Sequence, residues 1–178
     1  MLVQIELQGV RLEVPSQSPV MMLQEVGDGG RVLPIYIGAP EASAIHYATE
    51  GIVPERPLTH DLLVNVVRGL GAEFTQIVIT EVKDHTYYAE LHFSFAGSSI
   101  VISARPRDAV AVAIRTDTAI YASEELLKEV SRSPVATTPE SEEEILDDFR
   151  EFINSISPDR KSTRLNSSHL GISYAVFC

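Results

Sequence analysis

The stretch FTQIVITEVKDHTYYAELHFSFAGSSIVIS, residues 74–103, decides the fold, because it contains three predicted strands joined by two short turns. Runs rich in β-branched and aromatic residues are typical of strands, and Asp, Gly and Ser between them are typical of turns. The predicted strands and turns are residues 74–82, 83–85, 87–95, 96–98 and 99–103. A helical pattern follows directly, over residues 106–115. Consecutive strands followed by helices indicate an α+β domain.

The remaining residues up to 130 extend this pattern. Apolar and polar side chains alternate over residues 2–13, which is the period of a half-buried strand. Residues 59–70 predict the clearest helix, whose apolar face consists of Leu62, Leu63, Val66, Val67 and Leu70. Further strands are predicted at 20–26, 31–37 and 119–121, and further helices at 40–50 and 123–130, the last one capped by Ser123. The fold class predicted is α+β, with a mixed β-sheet of about six or seven strands and three to four short helices.

The last twenty residues, 159–178, resemble a translated sequencing adapter. DRKSTRLNSSH (159–169) and ISYAVFC (172–178) match two parts of one oligonucleotide, and Leu170 and Gly171 stand where such adapters carry a six-base index. This segment is therefore interpreted as non-native and excluded from fold reasoning. The domain organisation predicted is a domain at 1–130, a linker at 131–139, an acidic amphipathic helix at 140–158 and this tail.

Without the tail the chain is more acidic and contains no cysteine. Arg160, Lys161 and Arg164 against Asp159 give the tail a charge of +2, so the net charge of −11 becomes −13 for the rest. The one cysteine, Cys178, lies in the tail, which excludes disulfides, thiolate metal sites and a cysteine nucleophile from the native part. The acidic balance argues against broad, non-specific binding of nucleic acid, because such binding depends on Lys and Arg. Any phosphate site must therefore be local.

The predicted C-terminal helix has an apolar stripe on an acidic background. Ile145, Phe149, Phe152 and Ile156 lie at i, i+4, i+7 and i+11, and seven acids occur between residues 140 and 151. Such a helix more often docks on its own domain or on a partner chain than performs chemistry. No signal peptide or membrane span is predicted, so a cytoplasmic location and no membrane contact are expected.

Three predicted helices begin with a proline and an acid in the first turn. These starts are Pro40-Glu41, Pro57-Leu58-Thr59-His60-Asp61 and Pro106-Arg107-Asp108. One interpretation is structural, since proline suits a first helical position, threonine caps, and acids complement the helix dipole.

The second interpretation is chemical, because Arg56, His60, Arg105 and Arg107 lie at the same helix starts. Guanidinium groups beside exposed backbone N–H groups form an anion site, and phosphate is the usual occupant. Carboxylates at the same place would repel phosphate unless a divalent cation lies between them. The sequence does not decide whether the three starts converge, so both interpretations stay open.

Four segments resemble the bifunctional nuclease domain family over about residues 2–130, in the order and spacing of that family. They are LPIYIGAPEASAI (33–45), RPLTHDLL (56–63), TYYAEL (86–91) and ARPRDAVAVAIR (104–115). The resemblance implies an α+β domain that oligomerises and acts on both RNA and DNA. The chain departs from the family pattern at three positions. These are Ser103, often an acid, Arg107, usually a serine, and Tyr87, usually a phenylalanine.

The first hypothesis is therefore a nuclease that hydrolyses phosphodiester bonds of RNA or DNA, with Mg²⁺ or Mn²⁺ as the expected cofactor. The catalytic candidates are His60, Asp61, Glu41 and Asp108; the substrate-binding candidates are Arg56, Arg105, Arg107, Thr59 and Tyr88; and the metal candidates are Glu41, Asp61 and Asp108. The second hypothesis is a non-catalytic, oligomeric module that binds a ligand or another protein. A homo-oligomer, with a dimer favoured, is expected in either case.

Overall fold

One mixed sheet organises the part of the chain that the computed structural model describes, which is residues 1–13, 16, 18–27 and 30–130. In chain order the strands are β1 (Leu2–Glu13), β2 (Ser18–Glu25), β3 (Val32–Tyr36), β4 (Glu73–Lys83), β5 (Thr86–Phe95), β6 (Ser98–Ala104) and β7 (Ile120–Ser123). The helices are α1 (Ala39–Thr49), α2 (Thr59–Gly69), α3 (Pro106–Thr116) and α4 (Glu124–Val130). The predicted α+β class, with its mixed sheet and short helices, is confirmed. The predicted linker, acidic helix and adapter-like tail lie outside the described residues.

The sheet consists of two antiparallel meanders joined by its shortest strand. The strand order is β3-β2-β1-β7-β4-β5-β6, and β4 and β7 form the parallel pair within it. Ile120 of β7 pairs with Ile5 on one side and with Ile77 on the other. The chain turns from β4 to β5 at Asp84 and His85, both with positive φ, the geometry of a two-residue hairpin turn.

Helix α3 contacts both the sheet and the neighbouring helices α1 and α2. Its side chains from Ala109 to Ala113 are all buried, because α3 packs against β4 and β5 and also against α1 and α2. Three of these five residues are alanines, and such small side chains let the neighbouring helices approach closely. The core beneath them consists of Ile5, Met21, Leu23, Leu33, Ile77, Ile79, Ala89 and Leu91, with other apolar residues of the sheet. No helix of the described residues is long and apolar enough to cross a membrane.

Helix α2 presents its apolar face outward. The predicted stripe forms, but Leu62, Leu63, Val66 and Leu70 are 55%, 40%, 49% and 68% exposed, respectively. The residue that α2 buries is Val64, on the opposite side of the helix and 3% exposed. The reason is that the ionic side chain of Asp61 is directed inward toward α3, which fixes the rotation of the helix. A surface of large apolar side chains therefore remains on the described part of the chain.

We expect Ser123→Ala to lower the free energy of unfolding by about 1 kcal/mol. The Ser123 hydroxyl accepts a hydrogen bond from the backbone N–H of Leu126, as predicted for the cap of α4, and donates one to the carbonyl oxygen of Thr80. Ser123→Thr keeps the hydroxyl and is the matched control. Urea unfolding followed by circular dichroism measures both, and equal midpoints for the two variants would contradict this role.

Candidate functional site

A cavity of about 450 Å³ lies where the first turns of α1, α2 and α3 meet. Its lining comes from these three helices and the residues just before them: Pro40, Glu41, Ser43, Ala44, Tyr47, Leu58, Thr59, His60, Arg105 and Asp108. The predicted helix starts therefore do converge. Five of the candidates named from the sequence line this one cavity, namely Glu41, Thr59, His60, Arg105 and Asp108.

Asp108 connects a histidine and an arginine at one end of the cavity. His60 Nε2 lies 3.2 Å from Asp108 Oδ1, and Arg105 donates to Asp108 Oδ2 through Nε at 2.6 Å and to Oδ1 through Nη2 at 3.2 Å. Burial alone would raise the pKa of Asp108, but the hydrogen bonds from Arg105 and then His60 outweigh it and lower that pKa below its ordinary value. The same carboxylate raises the pKa of Arg105. Asp108 is therefore ionised at neutral pH and accepts from both neighbours.

Glu41 brings a second carboxylate to the same end. Its Oε1 lies 3.7 Å from Arg105 Nη2 and 3.4 Å from Arg107 Nε. Arg107 Nε is buried and has no hydrogen-bond partner among the described residues. The ion pair with Glu41 therefore stabilises its charge. A Cβ at Gly38 would lie 2.5 Å from Glu41 Oε2, so a larger residue there would displace the Glu41 carboxylate. Arg107 thus reaches the site through Glu41 and is not part of the cavity lining.

Asp61 does not line the cavity, although the sequence placed it with the catalytic and metal candidates. Its Oδ1 accepts from Arg115 Nε, and its Oδ2 accepts the backbone N–H of Leu58 at 2.9 Å. Arg115 is 9% exposed and also donates to the carbonyl oxygens of Ala44 and Ala111. Burial acts to raise the pKa of Asp61, but the hydrogen bonds from Arg115 and the Leu58 backbone outweigh it and lower that pKa. Asp61 and Arg115 together hold α1, α2 and α3 in place around the cavity.

The other substrate-binding candidates lie in different places. Arg56 is exposed before α2 and is not part of the lining. Tyr88 lies on the far face of the sheet, because its neighbours Tyr87 and Ala89 point to the core and side chains alternate along a strand. Thr59 lines the cavity, but the prediction that threonine caps α2 is wrong. Leu58 precedes the helix, and the Asp61 carboxylate binds its N–H.

Sequence reasoning missed the apolar part of the lining and the arginine beneath it. Pro40, Ala44 and Tyr47 lie at i, i+4 and i+7 of α1, a spacing that the sequence contains but that equally fits a core face. Arg115 is the last residue of the motif at 104–115, at the end of a predicted helix. Its partner Asp61 is 54 residues away, so no local pattern pairs the two.

The three predicted metal ligands, Glu41, Asp61 and Asp108, do not come together as one group. Asp61 uses both oxygens within the helix framework, and the carboxylates of Asp108 and Glu41 are paired with arginines. Within residues 1–13, 16, 18–27 and 30–130, no group of three His, Cys, Asp or Glu side chains is arranged to hold a metal ion. What the lining offers is the imidazole of His60 beside the guanidinium of Arg105, both bound to Asp108.

Comparison with known proteins gives a consistent picture. The family model described as the bifunctional nuclease domain matches residues 21–134, which include every lining residue of the cavity. Two proteins of Mycobacterium tuberculosis are similar over most of their length, "Uncharacterized protein MT1877" of strain CDC 1551 / Oshkosh and "Uncharacterized protein Rv1829" of strain ATCC 25618 / H37Rv. Each is 38% identical over 162 residues, covering 88% of this chain and 96% of the relative.

We expect Asp61→Asn to lower the free energy of unfolding by about 2–3 kcal/mol at neutral pH, because it leaves the Arg115 guanidinium without its anion. The native pKa of Asp61 is depressed, so its stabilising contribution is present above the ordinary value of 3.8 and is lost as the pH falls through the native pKa. The stabilities of wild type and variant should therefore converge in acid. Urea unfolding between pH 7 and pH 3 measures this, with Asp84→Asn in an exposed turn as the control. A difference that does not change with pH would contradict it.

Proposed function

The chain belongs to the bifunctional nuclease domain family, and we propose that it hydrolyses phosphodiester bonds of RNA or DNA in the cavity between α1, α2 and α3. The observation that carries the proposal is the group of His60, Asp108 and Arg105 at one end of that cavity. An imidazole held by a carboxylate can move a proton, and a guanidinium beside it can bind a phosphate. Hydrolysis of a phosphodiester needs both functions at one place.

His60 is the proposed general base. An ionised Asp108 can only accept, so His60 Nε2 carries the hydrogen of their 3.2 Å contact and Nδ1 is left as the basic nitrogen. Nδ1 takes a proton from the attacking water as the new phosphorus–oxygen bond forms. The bond to the leaving oxygen then breaks, that oxygen takes a proton from solvent, and the imidazolium loses its proton to water.

Arg105 is the proposed phosphate ligand. Its side chain is more than half exposed, and Asp108 engages only Nε and one Nη, which leaves further N–H groups for a phosphate oxygen. Positive charge beside the phosphoryl oxygens stabilises the charge that they carry in the transition state. Glu41 orients Arg105 and Arg107, and Asp61 acts through Arg115 by positioning the three helices.

A divalent cation, Mg²⁺ or Mn²⁺, is the cofactor that we expect for this activity. Mg²⁺ usually keeps several waters and is bound by one or two carboxylates together with substrate phosphates. Glu41 and Asp108 are the carboxylates of the lining that such an ion would have to share with the arginines. The cleavage assay is therefore run with and without EDTA, which removes divalent cations.

A second candidate function is a module that associates through α2, and the exposed stripe on α2 favours it. Leu62, Val66 and Leu70 follow one another at intervals of four residues, so the row is symmetric about Val66. Two antiparallel copies of α2 would place Leu62 of each chain against Leu70 of the other, which is the self-complementary contact of a twofold dimer. A second copy of this chain is therefore the proposed occupant of the surface.

We expect the wild-type chain to cleave end-labelled single-stranded RNA or DNA, and His60→Asn to reduce the rate of cleavage by at least about 100-fold. Arg105→Gln should weaken substrate binding and rate together. His85→Asn is the matched control, because His85 lies in the turn between β4 and β5, away from the cavity. Gel analysis of the products, with and without EDTA, measures these effects. Cleavage at the wild-type rate by His60→Asn would contradict the proposed role of His60 as the general base.

We expect Val66→Glu to shift the chain from dimer to monomer, because it places like charges at the centre of the twofold contact. Asn65→Glu adds the same charge to the same helix outside the stripe and should leave the dimer intact. Sedimentation velocity over a range of protein concentrations measures the mass of each variant. A monomeric wild type, or two variants of equal mass, would rule out this interface.

A further inference from the structure

The cavity has a charged end and an apolar end. Glu41, His60, Arg105 and Asp108 form the charged end at the first turns of the helices, and the apolar part of the lining is Pro40, Ala44, Tyr47 and Leu58. Along α1, Tyr47 lies six residues beyond Glu41, which is about 9 Å along a helix axis. The exposed N–H groups of Arg105 can receive an anionic group at the charged end, and the other end fits a flat or apolar group a short distance from it.

We propose that the cavity binds one unpaired nucleotide, with its phosphate at Arg105 and its base against the ring of Tyr47. This inference rests on the proposed nuclease function for the phosphate end and adds a base subsite to it. A site for phosphate alone needs no apolar wall, whereas a base offers a flat face that stacks on an aromatic ring. The cavity volume of about 450 Å³ falls within the range of small-ligand sites.

The geometry selects an unpaired nucleotide over a base pair. A base within a duplex is already stacked on both faces, so it can stack on Tyr47 only after leaving the duplex stack. The cavity lies between three helices, and its apolar end is bounded by α1 and Leu58. Single-stranded nucleic acid presents its bases without that cost, and stacking on one tyrosine tolerates any base.

Tyr47 is held in position before a ligand arrives. It is partly buried and packs against the core, and its ring lies 6.3 Å from the ring of His46 with a 45° tilt. The helix that carries it is fixed one turn earlier, because Arg115 donates to the carbonyl oxygen of Ala44 at 3.0 Å. A ring held in this way loses little conformational freedom when a base stacks on it.

Calorimetry of the wild-type chain with four probes tests the subsite: adenosine 5′-monophosphate, cytidine 5′-monophosphate, ribose 5-phosphate and inorganic phosphate. Both nucleotides should bind at least about 10-fold more tightly than ribose 5-phosphate, since stacking contributes that much per base. Ribose 5-phosphate that binds as tightly as the nucleotides would overturn the proposal. These probes contain no phosphodiester bond, so the result does not depend on cleavage.

Substitutions at Tyr47 test whether its ring causes the preference for nucleotides over ribose 5-phosphate. Tyr47→Phe should keep the preference for nucleotides over ribose 5-phosphate, and Tyr47→Leu should reduce it at least fivefold, with melting curves to show that both variants fold. Equal preferences in the two folded variants would overturn the role of Tyr47. Nucleotide binding without cleavage of RNA or DNA would contradict the nuclease proposal alone, and cleavage without a nucleotide preference would contradict the base subsite alone.

Discussion

The guanidinium group of Arg115 is the point at which the helices around the cavity are joined. It lies at the end of α3, donates to Asp61 on α2 and to the backbone of Ala44 on α1, and is almost fully buried. A buried charge of this kind is tolerated only when its N–H groups are paired, so its three partners must stay where they are. The cavity is the space left between helices that this side chain holds together, in addition to the packing of α1 and α2 on α3.

The same pairing explains why two similar acids have different roles. Asp61 and Asp108 both lie in the first turn of a helix that begins at or shortly after a proline, and both have lowered pKa values because arginines bind them. Asp108 meets an arginine of its own helix start and the imidazole of His60, and it faces the cavity. Asp61 meets Arg115 from the opposite end of α3 and is turned away from the cavity. Only the first arrangement leaves charged groups in the lining of the cavity.

Much of the fold could be predicted from the sequence, because periodicity and turn chemistry are local. Strand β1 has the predicted bounds, Leu2–Glu13, and the charged end of the cavity follows from helix starts that the sequence contains. The outward face of α2 could not be predicted, since an apolar stripe does not reveal which side of a helix meets the domain. Tyr88 and Tyr47 show the same limit. Tyr88, which belongs to a motif, lies on the far face of the sheet, and Tyr47, which lies outside the motifs, lines the cavity.

The position of β7 has a consequence for synthesis on the ribosome. Before Ile120–Ser123 has emerged, the nascent chain can form the group β3-β2-β1 and the group β4-β5-β6. It cannot join the two groups, because β7 pairs with both β1 and β4. Each three-stranded group then has two open edges, and open edges favour pairing with other chains. The short central strand reduces four such edges to two when it inserts. Protection from misassembly during translation thus depends on one of the last segments of the domain to be made.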